Sequence, residues 1–411
     1  MTTIYPAIVV ATYNRPDALL RLLKSIAKAD YKGYKNIPLV ISVDGGGNPQ
    51  CTRIAEEFEW QYGEKRVITH SENIGLKAHI LSCGDLTEQY GAIIMLEEDV
   101  YVSPYFYDYS VQTTSFYQDE EKIAGVSLFF LKNCDLSGTP FEPLHNGADA
   151  FFAQVPSSWG QIWIRKQWRC FRGWLKDNDN KPVSHRLPMD VRTVWPDKSS
   201  WKKFYYSYMV ENDLYFVIPY VAYATNMGDS GEHFTKSTQM FQTCLMEYPS
   251  HLKLYPFNKE NVVYDAYFEL LLETFHKFGV LQNYDVTIDI SGTKPLQDVE
   301  TPYLLSIKPC SKPVCSFGMC FSPVEVNIME HNDGGRIYLG KTQDFSPNRD
   351  ESALEQLMRI NNEMVYQMSS YFGYRRGMIE ENKRMKGTKY YRLGYILLKP
   401  FKKIKKIFVN E

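Results

Sequence analysis

With 411 residues, 48 acidic against 46 basic side chains and a formal net charge of −2, the chain is long enough for about two domains and has no overall field to recruit nucleic acid. Hydrophobic residues at 44% and charged residues at 23% are the balance of a globular protein that builds its own core, which excludes a disordered or fibrous chain. The opening "MTTIYPAIVVATYNRP" has no basic leader, and no stretch approaches the roughly 18 apolar residues of a membrane-crossing helix, so neither a signal peptide nor a span is predicted.

The first hundred residues alternate. "AIVVATYN" reads as a strand, and "PDALLRLLKSIAKA" as a helix with Leu19, Leu20, Leu22, Leu23 and Ile26 at helical spacing and Pro16 near its first turn. "PLVISVDGG", "KRVITH" and "GAIIMLEED" read as further strands, with "CTRIAEEFEWQY" and "GLKAHILSCGDLTEQ" as the helices between them. Such alternation predicts parallel β-α-β units, whose ligands bind at the carboxyl ends of the strands. The polar interruptions fall there: Thr12 and Asn14, Asp44, Asn73 and Gly75, and the three consecutive acids Glu97, Glu98 and Asp99.

After Val111 the pattern loosens. "KIAGVSLFFL" reads as a strand, residues 140–163 as a loop turning into a helix, and "MVENDLYFVIPYVAYATNMGDSGEH" as a helix broken at Pro219, then a short strand at 220–225 and a Gly-rich loop. The first domain is expected over 1–237, a smaller α+β segment over 238–349 with one amphipathic helix at "VVYDAYFELLLETFHKF", a long helix over 350–385, and a basic tail over 386–411.

The eight Cys, at 51, 83, 134, 170, 244, 310, 315 and 320, mostly stand alone, which predicts reduced thiols in a cytoplasmic protein. Cys310, Cys315 and Cys320 in "CSKPVCSFGMC" are the one cluster, and a structural zinc there would need His331 as its fourth ligand.

Three acids at the end of a buried strand each raise the cost of ionising the others. A hard divalent cation such as Mn2+ or Mg2+ would relieve that cost and would bridge to substrate phosphates; a solvated acidic turn is the plainer alternative. Together "VVATYNRPDALLRLLKSI", "ISVDGG", "NIGLKAHI" and "LEEDVYVSP" resemble the nucleotide-sugar-binding half of GT-A glycosyltransferases of the family 2 type, and the triplet is similar to the acidic strand end of the N-acetylglucosaminyltransferase I group. The resemblance runs from residue 4 to about 235. It implies an α/β fold with a mostly parallel, Rossmann-like sheet flanked by helices, and an inverting transfer of a hexosyl or N-acetylhexosaminyl group from a nucleotide-diphosphate sugar, UDP-linked first of all.

By that resemblance Ala11, Tyr13 and Arg15 line the nucleoside pocket, Asp44 binds base or ribose, and Asn73 and Lys77 flank the nucleotide and its phosphates. Asp99 matches the metal-coordinating position, Glu98 faces the ribose or sugar, and Glu97 supports them. "PSSWG" fits an acceptor loop, with Trp159 free to stack on a sugar face. "VENDL" offers Asp213 as general base with Glu211 in reserve, and "NMGDSGEH" offers His233 as a further metal ligand. Each has a plainer reading: Asp44 as a turn former, Asp213 as a helix-terminal acid, His233 as a solvated loop histidine, Trp159 as core.

From Lys383 to Phe408 there are ten Lys or Arg and no acid, interleaved with Tyr, Leu, Ile and Phe. That pattern predicts a tail on an anionic membrane surface, in two pieces because Pro400 interrupts it. It would hold the protein at the cytoplasmic face of the membrane, near a glycan or lipid-linked acceptor of surface-polysaccharide synthesis. The rival readings are a nucleotidyltransferase that makes the sugar nucleotide, disfavoured because "ATYNRPDALL" has no phosphate-loop glycine, and a non-catalytic glycan-binding scaffold.

Overall fold

A computed structural model describes residues 3–195, 199–231 and 236–388. The first part alternates as β1 (Ala7–Thr12), α1 (Pro16–Ala27), β2 (Leu39–Val43), α2 (Pro49–Glu57), β3 (Lys65–Thr69), α3 (Leu76–Asp85), the single turn α4 (Thr87–Tyr90) and β4 (Ala92–Glu97). It continues through β5 (Val100–Val102), α5 (Phe106–Tyr117), β6 (Ile123–Ser127), β7 (Ala150–Ala153), β8 (Gln161–Ile164), α6 (Arg165–Asn178), α7 (Met189–Thr193), α8 (Trp201–Glu211), β9 (Tyr215–Pro219), β10 (Ala224–Asn226) and β11 (Val263–Tyr264). The last part holds α9 (Leu272–Lys277), β12 (Val286–Asp289), β13 (Tyr303–Ser306), β14 (Pro313–Phe317), α10 (Val326–Met329), β15 (Ile337–Lys341) and α11 (Glu351–Gly387).

The continuous apolar runs of β1 and β2 are buried along their whole length, as strands covered by helices on both faces must be. They sit in a nine-stranded sheet of order β11-β7-β9-β6-β8-β4-β1-β2-β3. β3, β2, β1 and β4 are mutually parallel, β6 and β9 run with them, and β8, β7 and β11 run against them. Alternate residues feed two cores: Val9, Ile93 and Met95 belong to one face, and Ile8, Val10, Ile94 and Leu96 to the other. Helix α1 begins with Pro16 at its first turn, carries Asp17 there and Lys24 in its last turn, and buries Ala18, Leu19, Leu22, Leu23 and Ile26.

Several expectations beyond Val111 are corrected. The 140–163 stretch contains two strands, β7 and β8, because "AFFA" and "QIWI" are buried on both faces of the sheet and the helix starts only at Arg165. The helix read up to Pro219 ends at Glu211, and residues 215–219 form the fully buried β9 between β6 and β7. The short strand that follows is Ala224–Asn226. "VVYDAYFELLLETFHKF" is a helix only over 272–277; Phe268 takes a left-handed φ of 62°, which a helix cannot carry. Its start is β11, so the large sheet takes a strand from beyond residue 237.

A separate four-stranded sheet, β12-β13-β15-β14, carries a buried ion pair between Lys308 and Asp289, at 2% and 0% exposure. It is tied to the large sheet's layer by Arg192 to Asp298 at 2.7 Å and by the Tyr264 hydroxyl donating to Glu325 at 3.1 Å. Asp350 caps α11 through the amides of Ser352 and Ala353, and Ala353, Leu354 and Leu357 anchor its first turns. The less favoured structural zinc finds no support: among the described residues no three His, Cys, Asp or Glu gather as a metal site, and Cys315 and Cys320 are exposed free thiols. Residues 389–411, most of the expected membrane tail, lie outside the described residues; among those described no helix is long and apolar enough to cross a membrane.

Candidate active site

The carboxyl ends of β1, β2, β3 and β4 meet at one rim, and two glycines let them meet closely. A Cβ on Gly45 would lie 2.4 Å from the backbone of Glu72, and one on Gly47 would lie 2.1 Å from the Tyr13 carbonyl, so the "DGGG" turn can pass between the loops after β1 and β3 only without side chains. Asp44, 6% exposed, accepts from the amides of Gly45 at 2.9 Å and Ile74 at 3.0 Å, and so ties its own turn to the segment that carries Asn73. The Asn73 side chain accepts from Gly75 at 2.8 Å. Beneath them His79 contacts the Ser42 hydroxyl at 2.8 Å, and burial holds its pKa down to about 4 against the pull of Asp44, so it stays neutral.

The triplet follows directly on β4. Ala11 and Glu97 are register partners, which puts the buried end of the first strand beside the first acid. Burial pushes Glu97 up to about 8, helped by the neighbouring charges of Asp99 and Glu98 and opposed by Arg15 and Lys202. Burial also raises Glu98, against Arg15. Arg15 spans the other two acids, Nε to Glu98 at 2.9 Å and Nη1 to Asp99 at 3.1 Å, with the three side chains only 25%, 10% and 17% exposed. Burial would weaken that guanidinium, but Glu98 and then Asp99 outweigh it and hold its pKa above the ordinary arginine value.

Three further pieces reach the rim. β8 runs antiparallel to β4 and begins opposite Met95, which brings the turn with Trp159 to the level of the acids. The ring of Trp159 packs on Phe129 and Phe241, with centroids 4.7 and 4.8 Å away. β10 pairs with β5 directly after the triplet, and the Met227 amide donates to the Asp99 carbonyl at 2.9 Å. Lys202, in the first turn of α8, stands over the Trp195 ring at 5.2 Å and faces Asp135 and Glu97 electrostatically; burial lowers its pKa. The sequence flags this stretch only as aromatic and basic.

Not every expected residue arrives. Asp213 is not a rim acid: it follows the end of α8 with φ of 54°, stands at the amino end of β9, and is held by Lys122 at 2.9 Å, Lys259 at 3.1 Å and the Tyr215 hydroxyl. Since β9 runs parallel to β6 and with β4, that end lies across the sheet from Glu97–Asp99. Its reserve, Glu211, accepts from Trp174 and Ser207 within the helix layer. The Lys77 ammonium pairs with Asp179 and sits 3.8 Å over the Phe204 ring, turned to α6 and α8. Tyr13 abuts Gly47 at the rim. His233 lies outside the described residues.

The acids suit a hard cation. Asp99 Oδ1 is buried without a hydrogen-bond partner, and such an orphaned carboxylate oxygen is a ready ligand. A cation at this rim would take Asp99 and Glu98 as its carboxylates from the described residues. That is the usual protein share where substrate phosphates complete the shell.

A mostly parallel helix-flanked sheet whose rim gathers strand-end acids, a glycine turn and an arginine is a GT-A type, nucleotide-sugar-binding architecture. Residues 7–113 match Glycosyl transferase family 2, so that stretch is similar to the glycosyltransferases of that family. No curated protein matches the sequence. Among solved structures, S. aureus TarS 1–349 in complex with UDP-GlcNAc shares 17% identity over 55% of this chain and 60% of that one, with a TM-score of 0.35. The mannosyltransferase PcManGT from Pyrobaculum calidifontis, in complex with GDP-Man and Mn2+, shares 9% over 53% of this chain and 55% of that one, with a TM-score of 0.33. The chain thus spans less than two thirds of either.

Proposed function

We propose that the protein is an inverting, cation-dependent glycosyltransferase that moves a sugar from a nucleotide-diphosphate donor, UDP-linked first of all, to a hydroxyl of a glycan or lipid-linked acceptor. The observation that carries this reading is the largely shielded acidic triplet with its unpartnered Asp99 oxygen, set at the strand ends where the glycine turn packs against the loops after β1 and β3. Asp99, with Glu98, would hold Mn2+ or Mg2+. Such a cation, when bound, offsets the charge that grows on the departing diphosphate.

The chain's own groups do the rest. Asp44 and the turns it ties together orient the nucleoside, and Arg15 supplies positive charge beside the phosphates. An acceptor hydroxyl must lose its proton as it attacks, and a single base on one face gives inversion. With Asp213 across the sheet, that proton falls to a carboxylate on the Lys202 side, Glu97 or Asp135. Glu97, pushed up to about 8 by burial, has the affinity for a proton that a base near neutrality needs. Surface-polysaccharide assembly at the cytoplasmic face, with the 386–411 tail on anionic lipid, is the setting we infer from the tail's charge pattern.

The test is calorimetric titration of the full chain with UDP, with and without Mn2+, for wild type and Asp99→Ala. Cation-dependent binding lost in Asp99→Ala supports the reading; absence of UDP binding in both conditions overturns the UDP donor and directs the search to other nucleotides.

A further inference from the structure

One ion pair joins distant parts of the chain at the edge of this site and has no part in the proposed chemistry. Arg21 lies on α1, and Asp229 lies 208 residues later in the loop after β10. The contact is two-pronged: Arg21 Nη1 meets Asp229 Oδ1 at 3.1 Å, and Nη2 meets Oδ2. The side chains are 29% and 30% exposed, so the pair is partly shielded yet not part of the core.

The segment it grips passes over the acids. Its first residue, Met227, donates its amide to the Asp99 carbonyl at 2.9 Å. At Gly231 a Cβ would stand 3.4 Å from Arg15 Nη1, the guanidinium that spans Glu98 and Asp99. Arg15 immediately precedes α1 and Arg21 lies within it, six residues on and about 9 Å away at 1.5 Å per residue. The 227–231 segment is therefore bonded to Arg21 and to the third acid, and it passes close beside Arg15. Gly228 accepts from the Thr238 amide at 2.8 Å, and a Cβ on it would lie 1.7 Å from the Thr238 carbonyl, which pins the segment's base as well.

We propose that Arg21 and Asp229 are positioning residues whose pairing holds the 227–231 segment against Arg15 and Asp99 and thereby sets the affinity of the site for a nucleoside diphosphate. The proposal rests on the donor-site reading above. A partly exposed ion pair contributes little to global stability, so its removal should leave the fold intact while a positioning role still shows. A misplaced rim costs binding because the groups that meet the phosphates are no longer set for them.

The experiment uses the full chain as wild type, Arg21→Gln, Asp229→Asn, the conservative Asp229→Glu and the exchanged double variant Arg21→Asp/Asp229→Arg. UDP affinity in Mn2+ is read by calorimetry, and backbone exchange of 227–231 by hydrogen–deuterium exchange without nucleotide. The expected result is about tenfold weaker UDP binding in the two single neutralising variants, with faster exchange confined to that segment, and recovery of both in Asp229→Glu and in the exchanged pair. Wild-type affinity in Arg21→Gln and Asp229→Asn overturns the proposal, as does exchange that stays unchanged. A loss that neither Asp229→Glu nor the exchanged pair recovers overturns the pairing. A wild-type chain that binds no UDP while the exchange still responds removes the nucleotide role along with the donor-site reading, and leaves only an anchored loop.

Discussion

Replacing Arg15 by Gln takes the one guanidinium out from between Glu98 and Asp99, whose oxygens it now meets at 2.9 and 3.1 Å. Breaking a fully buried ion pair from one side costs about 3–5 kcal/mol, and an exposed one under about 1 kcal/mol. With Arg15 a quarter exposed and its partners at 10% and 17%, the loss should fall between, at about 2 kcal/mol near pH 8. The sign with pH follows from Glu97 and Glu98, which burial already raises and Arg15 pulls back down. Without Arg15 they keep their protons to higher pH, so the variant's deficit is small near pH 5 and grows as the pH rises. A cation on the same carboxylates should repair it: Mn2+ at a hundredfold its dissociation constant stabilises the folded state by about 2.7 kcal/mol. Urea unfolding of wild type and Arg15→Gln at pH 5 and pH 8, with and without Mn2+, reads all of this. A variant as stable as wild type at pH 8 refutes the reasoning, and so does Mn2+ that stabilises both proteins equally.

Asp213→Asn should keep transferase turnover within about threefold of wild type, because the side chain pairs with Lys122 and Lys259 at the far end of β9; partly exposed pairs of this kind imply under about 1 kcal/mol of lost stability. Product formation measured beside a Glu97→Gln control checks it, and a collapse of turnover in Asp213→Asn would return the base to that residue. Glu325, pushed up to about 7 by burial, lines a cavity of about 30 Å³ and has an unpartnered Oε2. Its protonated form stabilises the fold fully below about pH 4.5, and that contribution is lost as the pH climbs to about 7. Glu325→Gln should therefore flatten the fall in unfolding midpoint between pH 5 and pH 8, and an unchanged profile would show that Glu325 does not cause it.

How much of this was legible in the sequence depends on the kind of signal. β1 through β4 and the helices between them announce themselves because buried parallel strands and amphipathic helices have different apolar periods, and the polar residues that end each strand mark the rim. β7 and β8 hid because four-residue strands buried on both faces carry no period at all, and β9 hid because "LYFVIP" follows a helix without a glycine or proline to divide them. The error at Asp213 came from the same place. An acid beside an apolar run looks alike at either end of a strand, and only the direction of β9 says which rim it faces. Arg21 and Asp229 were out of reach, since nothing local couples positions 208 residues apart.

The structure also divides the triplet. Glu98 and Asp99 are ion-paired with Arg15, while Glu97 feels the charge of Arg15 first and of Lys202 second, and Lys202 in turn faces Asp135. Both cations come from the amino end of a helix, Arg15 just before α1 and Lys202 in the first turn of α8, where the helix dipole works against positive charge. A cation placed there is held by its carboxylates rather than by its own helix. It is therefore the more readily released when phosphates or a divalent ion compete for either side of the contact. On the proposed function, Glu98 and Asp99, which share Arg15, would meet the diphosphate and its cation, and Glu97, pushed up to about 8 by burial, would take the proton.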